Sequence, residues 1–113
     1  RYGIMYNNGD IVLIPVPFSD LSASKRRPVL VISNNAYNSG KPDIIVVAIT
    51  SNLAQQGIPI SSSDLITGEL PKPSIIRCDK VYTLEQSIVV KSIGQANSNI
   101  VMSARNGLIK TIS

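Results

Sequence analysis

From residue 11 to residue 93 the chain sets short runs of Val, Ile and Leu against polar clusters of Ser, Asn, Gly and Pro, and only the last stretch changes period. The run 11–18 follows a Gly9-Asp10 turn and predicts a first strand, which Pro15 and Pro17 make end irregularly because neither can donate to a ladder. A polar connection, 19–25, leads into a second strand over 28–33, and the two are expected to form a hairpin. After a turn region at 34–42, the run 44–49 is apolar at every position, as in a strand buried on both faces, with Thr50 and Ser51 where it emerges. A short strand is expected at 58–60, followed by an open loop that ends at Pro71 and Pro73. Residues 75–79 read as a strand that 81–83 extends, and 84–86 turn it into a further strand over 87–93, a second hairpin. From Asn97 the apolar positions Val101, Ala104, Leu108 and Ile112 recur at helical spacing, with Asn97 or Ser98 as N-cap and Gly107 as a weak point. Several short strands and one terminal helix over 97–112 predict a mostly β fold, a small barrel rather than alternating βαβ units.

Composition narrows the class. At 113 residues the chain suits one domain, 1–113, with one core, and 43% hydrophobic against 16% charged residues is far from disorder. Arg1 to Ile4 read as a cloning remnant ahead of a natural start at Met5 and receive no role. With no run of membrane-spanning length and no signal peptide, the chain reads as cytosolic, without a membrane partner. The single cysteine, Cys78, leaves no internal disulfide and no cysteine metal site. A net charge of +4 and a pI near 9.5 suit a polyanionic partner without requiring one. Aromatic residues are only 4%, so nucleic-acid contact must rest on charge more than on stacking.

The absence of histidine excludes Ser-His-Asp and Cys-His catalysis and every histidine metal motif. The seven carboxylates are scattered, with no pair spaced as in a Mg²⁺ nuclease motif, and no glycine pattern cradles phosphate. Chemistry without metal or cofactor is therefore expected. Arginines with hydroxyl and carboxylate neighbours remain. Alternation in a strand projects Arg77 and Asp79 together, while Ile76 and Cys78 face the core. On the residues alone the pair reads best as an ordinary ion pair. Lys25-Arg26-Arg27 is the densest basic run, and Pro28 biases Arg27 to an extended backbone, yet a solvated hairpin tip is the plainer reading. Thr50-Ser51 either donates to a phosphate or caps its strand.

The order of these segments changes that balance. Gly9-Asp10-Ile11-Val12, Arg26-Arg27-Pro28-Val29-Leu30-Val31-Ile32, Ile49-Thr50-Ser51, Pro73-Ser74-Ile75-Ile76-Arg77-Cys78-Asp79, Thr83-Leu84 and Ser92-Ile93-Gly94 together resemble the MazF/PemK toxins of bacterial toxin–antitoxin systems, over nearly the whole chain. The resemblance implies an SH3-like barrel with a C-terminal helix and a homodimer. It also implies a metal-independent, sequence-selective endoribonuclease acting on single-stranded RNA, neutralised by an antitoxin. Attack by a ribose 2′-hydroxyl would leave a 2′,3′-cyclic phosphate and a 5′-hydroxyl. Arg27 and Thr50 match the family's active-site arginine and threonine, and Arg77 and Asp79 match its Arg-Cys-Asp pair. Lys25, Arg26 and Ser51 would help hold phosphates. Asp79 is the one base candidate nearby, although an arginine neighbour should depress its pKa. The first-loop histidine of some members is absent here, as is the basic residue that many carry near Tyr82. Two alternatives are a gyrase poison of the CcdB type, whose Trp-Gly-Ile tip this chain lacks, and a catalytically silent RNA-binding barrel.

Overall fold

The computed structural model describes residues 5–15 and 25–113. Among the described residues seven strands form one sheet: β1 (Asp10–Pro15), β2 (Arg26–Val31), β3 (Asp43–Thr50), β4 (Ile58–Ile60), β5 (Leu65–Gly68), β6 (Ser74–Glu85) and β7 (Lys91–Ala96). Their order across the sheet is β4-β6-β3-β2-β1-β7-β5. Helix α1 (Asn35–Gly40) links β2 to β3, and α2 (Ser98–Ile112) closes the chain. The expected small barrel with a C-terminal helix is borne out as a curled sheet carrying α2. Every pairing is antiparallel.

Period-two alternation feeds two apolar clusters on opposite faces of the sheet. Ile11, Leu30, Val47, Ile49, Ile76 and Cys78 pack on the face that Ala104 of α2 covers. Val12, Val29, Val31, Ile44 and Val46 pack with Tyr6 on the other. The β3 run is thus buried from both sides, as its unbroken apolar sequence requires. Asn97 caps α2, its side-chain oxygen accepting from the Ile100 N–H at 2.9 Å. Gly107 is less a defect than a fit: a Cβ there would lie 2.7 Å from Cys78 Sγ.

Three expectations are corrected. The 34–42 turn contains α1, nucleated because the Asn34 side chain accepts from the Tyr37 N–H at 2.8 Å, a local cap that a turn-rich composition conceals. The loop after β4 contains β5, whose few residues carry too little alternation to stand out and which pairs with β7 at the sheet edge. Most consequentially, β6 and β7 form no hairpin: β7 lies between β1 and β5. The Gln86 amide explains the crossing. It accepts from the Tyr6 N–H at 2.9 Å and donates to the Asn38 carbonyl at 2.8 Å, and the Val90 N–H then donates to Leu13 at 2.8 Å, carrying the chain to β1. The expected continuation of the first strand over 16–18, the 19–24 part of its connection and residues 1–4 lie outside the described residues.

Candidate active site

The β3–β6 ladder contains the irregularity that builds the site. Val47 pairs with Val81 but Ala48 pairs with Arg77, so Cys78, Asp79 and Lys80 have no partner on β3. An odd number of extra residues reverses the alternation of side chains along the strand. Arg77 (opposite Ala48) and Tyr82 (opposite Val46) therefore share a face, although simple alternation separates an odd from an even position. Ala48 and Thr50 of β3 and, through the Val29–Ala48 pairing, Arg27 of β2 lie on that same face.

A groove of about 700 Å³ opens there. One part of its lining is cationic and hydroxylic: Arg27, Thr50, Arg77 and Lys80. Another is apolar, with Ile14, Leu84 and Ile88 beside Tyr82, which is 43% exposed. Such a groove offers donors for a phosphate and an apolar surface for a base. The Thr50 hydroxyl oxygen accepts from the Asn52 N–H at 3.1 Å, which leaves its own O–H to donate.

Arg77 is the most constrained side chain of the set. Its Nε donates to Asp79 Oδ1 at 3.0 Å and its Nη2 to Asp79 Oδ2 at 2.9 Å, a two-pronged ion pair, and its Nη1 donates to Gln55 Oε1 at 2.6 Å. The hydrogen bonds from Arg77 hold the Asp79 carboxyl below its ordinary range, and the same bonds push the guanidinium above its own. Cys78 points inward as expected, and burial raises its thiol pKa, so it offers no thiolate.

Of the residues singled out in the sequence, Arg27, Thr50 and Arg77 converge on the groove. Asp79 touches Arg77 but lines a neighbouring cleft, with Gln55, Gly107 and Lys110. Lys25, Arg26 and Ser51 are exposed and do not line the groove; Arg26 alternates away from Arg27 on β2. Lys80 and Gln55 escaped the sequence reading. Lys80 was hidden by the bulge, for which the only trace is the charged Asp79-Lys80 step inside an apolar strand, and Gln55 by its place in a loop with no periodic signal. Among the described residues, no three His, Cys, Asp or Glu side chains come together.

Residues 7–112 match the family model described as PemK-like, MazF-like toxin of type II toxin-antitoxin system. The chain is 29% identical over 98 residues to the endoribonuclease MazF2 of Mycobacterium bovis, covering 85% of this chain and 86% of that protein. A mycobacterial endoribonuclease of known structure superposes with a TM-score of 0.74 at 18% identity, covering 99% of this chain and 95% of the other. A second, solved in complex with its cognate antitoxin, gives 0.67 at 20% identity, with 95% and 91% covered.

Proposed function

The chain belongs to the PemK-like, MazF-like toxins of type II toxin–antitoxin systems, and on that premise we propose that the groove on β2, β3 and β6 is its RNA-cutting site. It is an endoribonuclease toxin, its partners RNA and a cognate antitoxin. One observation carries the assignment of the site: Arg27, Thr50 and Arg77, from three different strands, meet in one groove.

The chemistry follows from those groups. The substrate's own 2′-hydroxyl oxygen attacks the adjacent phosphorus as the bond to the 5′ oxygen breaks, giving a 2′,3′-cyclic phosphate and a 5′-hydroxyl. No water needs activating, because the nucleophile is supplied by the RNA. The developing charge on the phosphoryl oxygens is met by guanidinium donors of Arg27 and Arg77 and by the Thr50 O–H, with Lys80 at the same wall. The 2′ proton leaves to solvent water and the 5′ oxygen takes one from it, so the step is proton-neutral overall. Asp79 is a poor acceptor for the first proton, since it is already engaged by Arg77 and lines the neighbouring cleft, not the groove. Its assigned role is to hold Arg77; charge stabilisation carries the rate. The protein acts in the cytoplasm as a homodimer. No described helix is long and apolar enough to cross a membrane, and α2 leaves Met102, Ile109 and Ile112 at least half exposed, apolar surface that a second copy would cover. A monomeric mass in solution would overturn the dimer.

The deciding experiment is incubation with unstructured RNA in EDTA, with the ends mapped. Cyclic-phosphate and 5′-hydroxyl ends are expected. Intact RNA, with DNA supercoiling disturbed instead, would support the gyrase reading. Arg27→Ala and Arg77→Ala should each lower the cleavage rate about 10²-fold, the usual loss for one charge-stabilising donor, while circular dichroism stays native.

A further inference from the structure

Arg77 lines both the groove and the neighbouring cleft, whereas Asp79 and Gln55, the two acceptors that bind it, line only the cleft. Every hydrogen bond the guanidinium makes within the described residues goes to one of these two cleft residues, which leaves two of its five N–H donors uncommitted. Asp79 alone cannot fix that arrangement. It stands two residues from Arg77 on the same strand, in a bulge without β3 partners, and its side chain is 49% exposed. A pair anchored on one strand can swing as a unit. Gln55 comes from a different element, and its bond braces the guanidinium against the rest of the molecule.

The loop between β3 and β4 is built to deliver that brace. Thr50 Oγ1 accepts from the Asn52 N–H at 3.1 Å, Asn52 Oδ1 accepts from the Ala54 N–H at 3.0 Å, and the Asn52 carbonyl accepts from the Gln55 N–H at 3.1 Å. Each bond closes a turn of two or three residues, so the path from the catalytic threonine to Gln55 is short and hydrogen-bonded. At the far end the loop is clamped at Gly57, where a Cβ would overlap the Ile76 carbonyl oxygen, the residue next to Arg77. The loop thus couples Thr50 at one end to Arg77 at the other.

We propose that Gln55 is a positioning residue: through Oε1 on Arg77 Nη1 it fixes the guanidinium so that its unused donors face the scissile phosphate in the groove. This rests on the endoribonuclease reading. Gln55 acts on the transition state through Arg77 and does not itself hold RNA, which separates it from a binding residue.

The test compares Gln55→Met, which keeps the length but loses the acceptor, with Gln55→Glu, which keeps an acceptor at the same reach. Q55M should lower kcat by up to about 10²-fold, the scale expected when a catalytic group is misplaced by about 1 Å, with KM held within a factor of about two. Q55E should recover most of that loss. Independently of activity, NMR of 15N-arginine-labelled protein should show an Arg77 Nη1 proton signal that is downfield and slow to exchange in wild type and Q55E, and lost in Q55M. Wild-type kcat in Q55M, or a raised KM at unchanged kcat, would overturn the proposal, as would an Nη1 signal indifferent to Q55M. If wild-type protein cuts no RNA, the endoribonuclease reading fails instead, and the NMR comparison still decides whether Gln55 holds Arg77.

Discussion

At Asp79 the two hydrogen bonds from Arg77 stabilise the ionised form, so its pKa lies below that of a free carboxyl. The sign for stability follows. The pair contributes fully above the unfolded carboxyl pKa of about 4, and its contribution is lost as pH falls through the lower folded value. For catalysis the same shift removes Asp79 from titration near neutrality. The kcat–pH profile between about pH 5 and 8, well above an ordinary carboxyl pKa, should carry no acid limb belonging to Asp79. Asp79→Asn should lower kcat by loosening Arg77 without changing the profile's shape. An acid limb in wild type that disappears in D79N would instead make Asp79 a general base with an elevated pKa. Residue types and their order along the chain were enough to nominate Arg27, Thr50 and Arg77. The distinction between Asp79 as base and Asp79 as tether was not legible, because it depends on which side of Arg77 the carboxylate lies.

Among the elements, β6 and α2 carry the most information about how the site is held. Three residues of β6 without partners turn Tyr82 and Lys80 toward the groove and leave Cys78 beneath α2 at Gly107. On helix propensity alone Gly107→Ala should stabilise by about 1 kcal/mol. Here the added Cβ would stand 2.7 Å from a buried sulfur, and crowding of a packed site costs about 1–3 kcal/mol. G107A should therefore lower the melting temperature, and Cys78→Ala in that background should restore part of the loss. The thermal scans of both single variants and the double variant give the coupling directly; additive effects would mean that the helix moves away at no cost. Strand and helix identities were largely legible because β3 is an unbroken apolar run between turn signals and α2 has an unmistakable helical period. Helix α1, strand β5 and the course of β7 were not: the first depends on one asparagine cap, the second on an edge pairing, the third on what the Gln86 amide meets in space.

At the level of the whole molecule, the +4 charge favours any polyanion, but its local arrangement sets the grip. Arg27, Arg77 and Lys80 line the groove, and with one phosphate each they give RNA binding a log–log salt slope of about −2, at roughly −0.7 per single-strand contact. Arg27→Ala should make that slope shallower by about 0.7, measured as binding of an uncleavable 2′-deoxy analogue across a salt series. A slope near zero would place the RNA elsewhere. The sequence by itself determined the fold class, the buried strands and the residue types able to stabilise charge without histidine, since hydrophobic periodicity and side-chain chemistry are local properties. Only the tertiary structure decided that Arg27, Thr50 and Arg77 share a groove with Lys80 and Tyr82 while Asp79 lies behind Arg77 beside Gln55. Those relations span three strands and a loop and depend on a register shift, and a shift of odd length exchanges the faces of a strand while leaving its apolar pattern looking continuous.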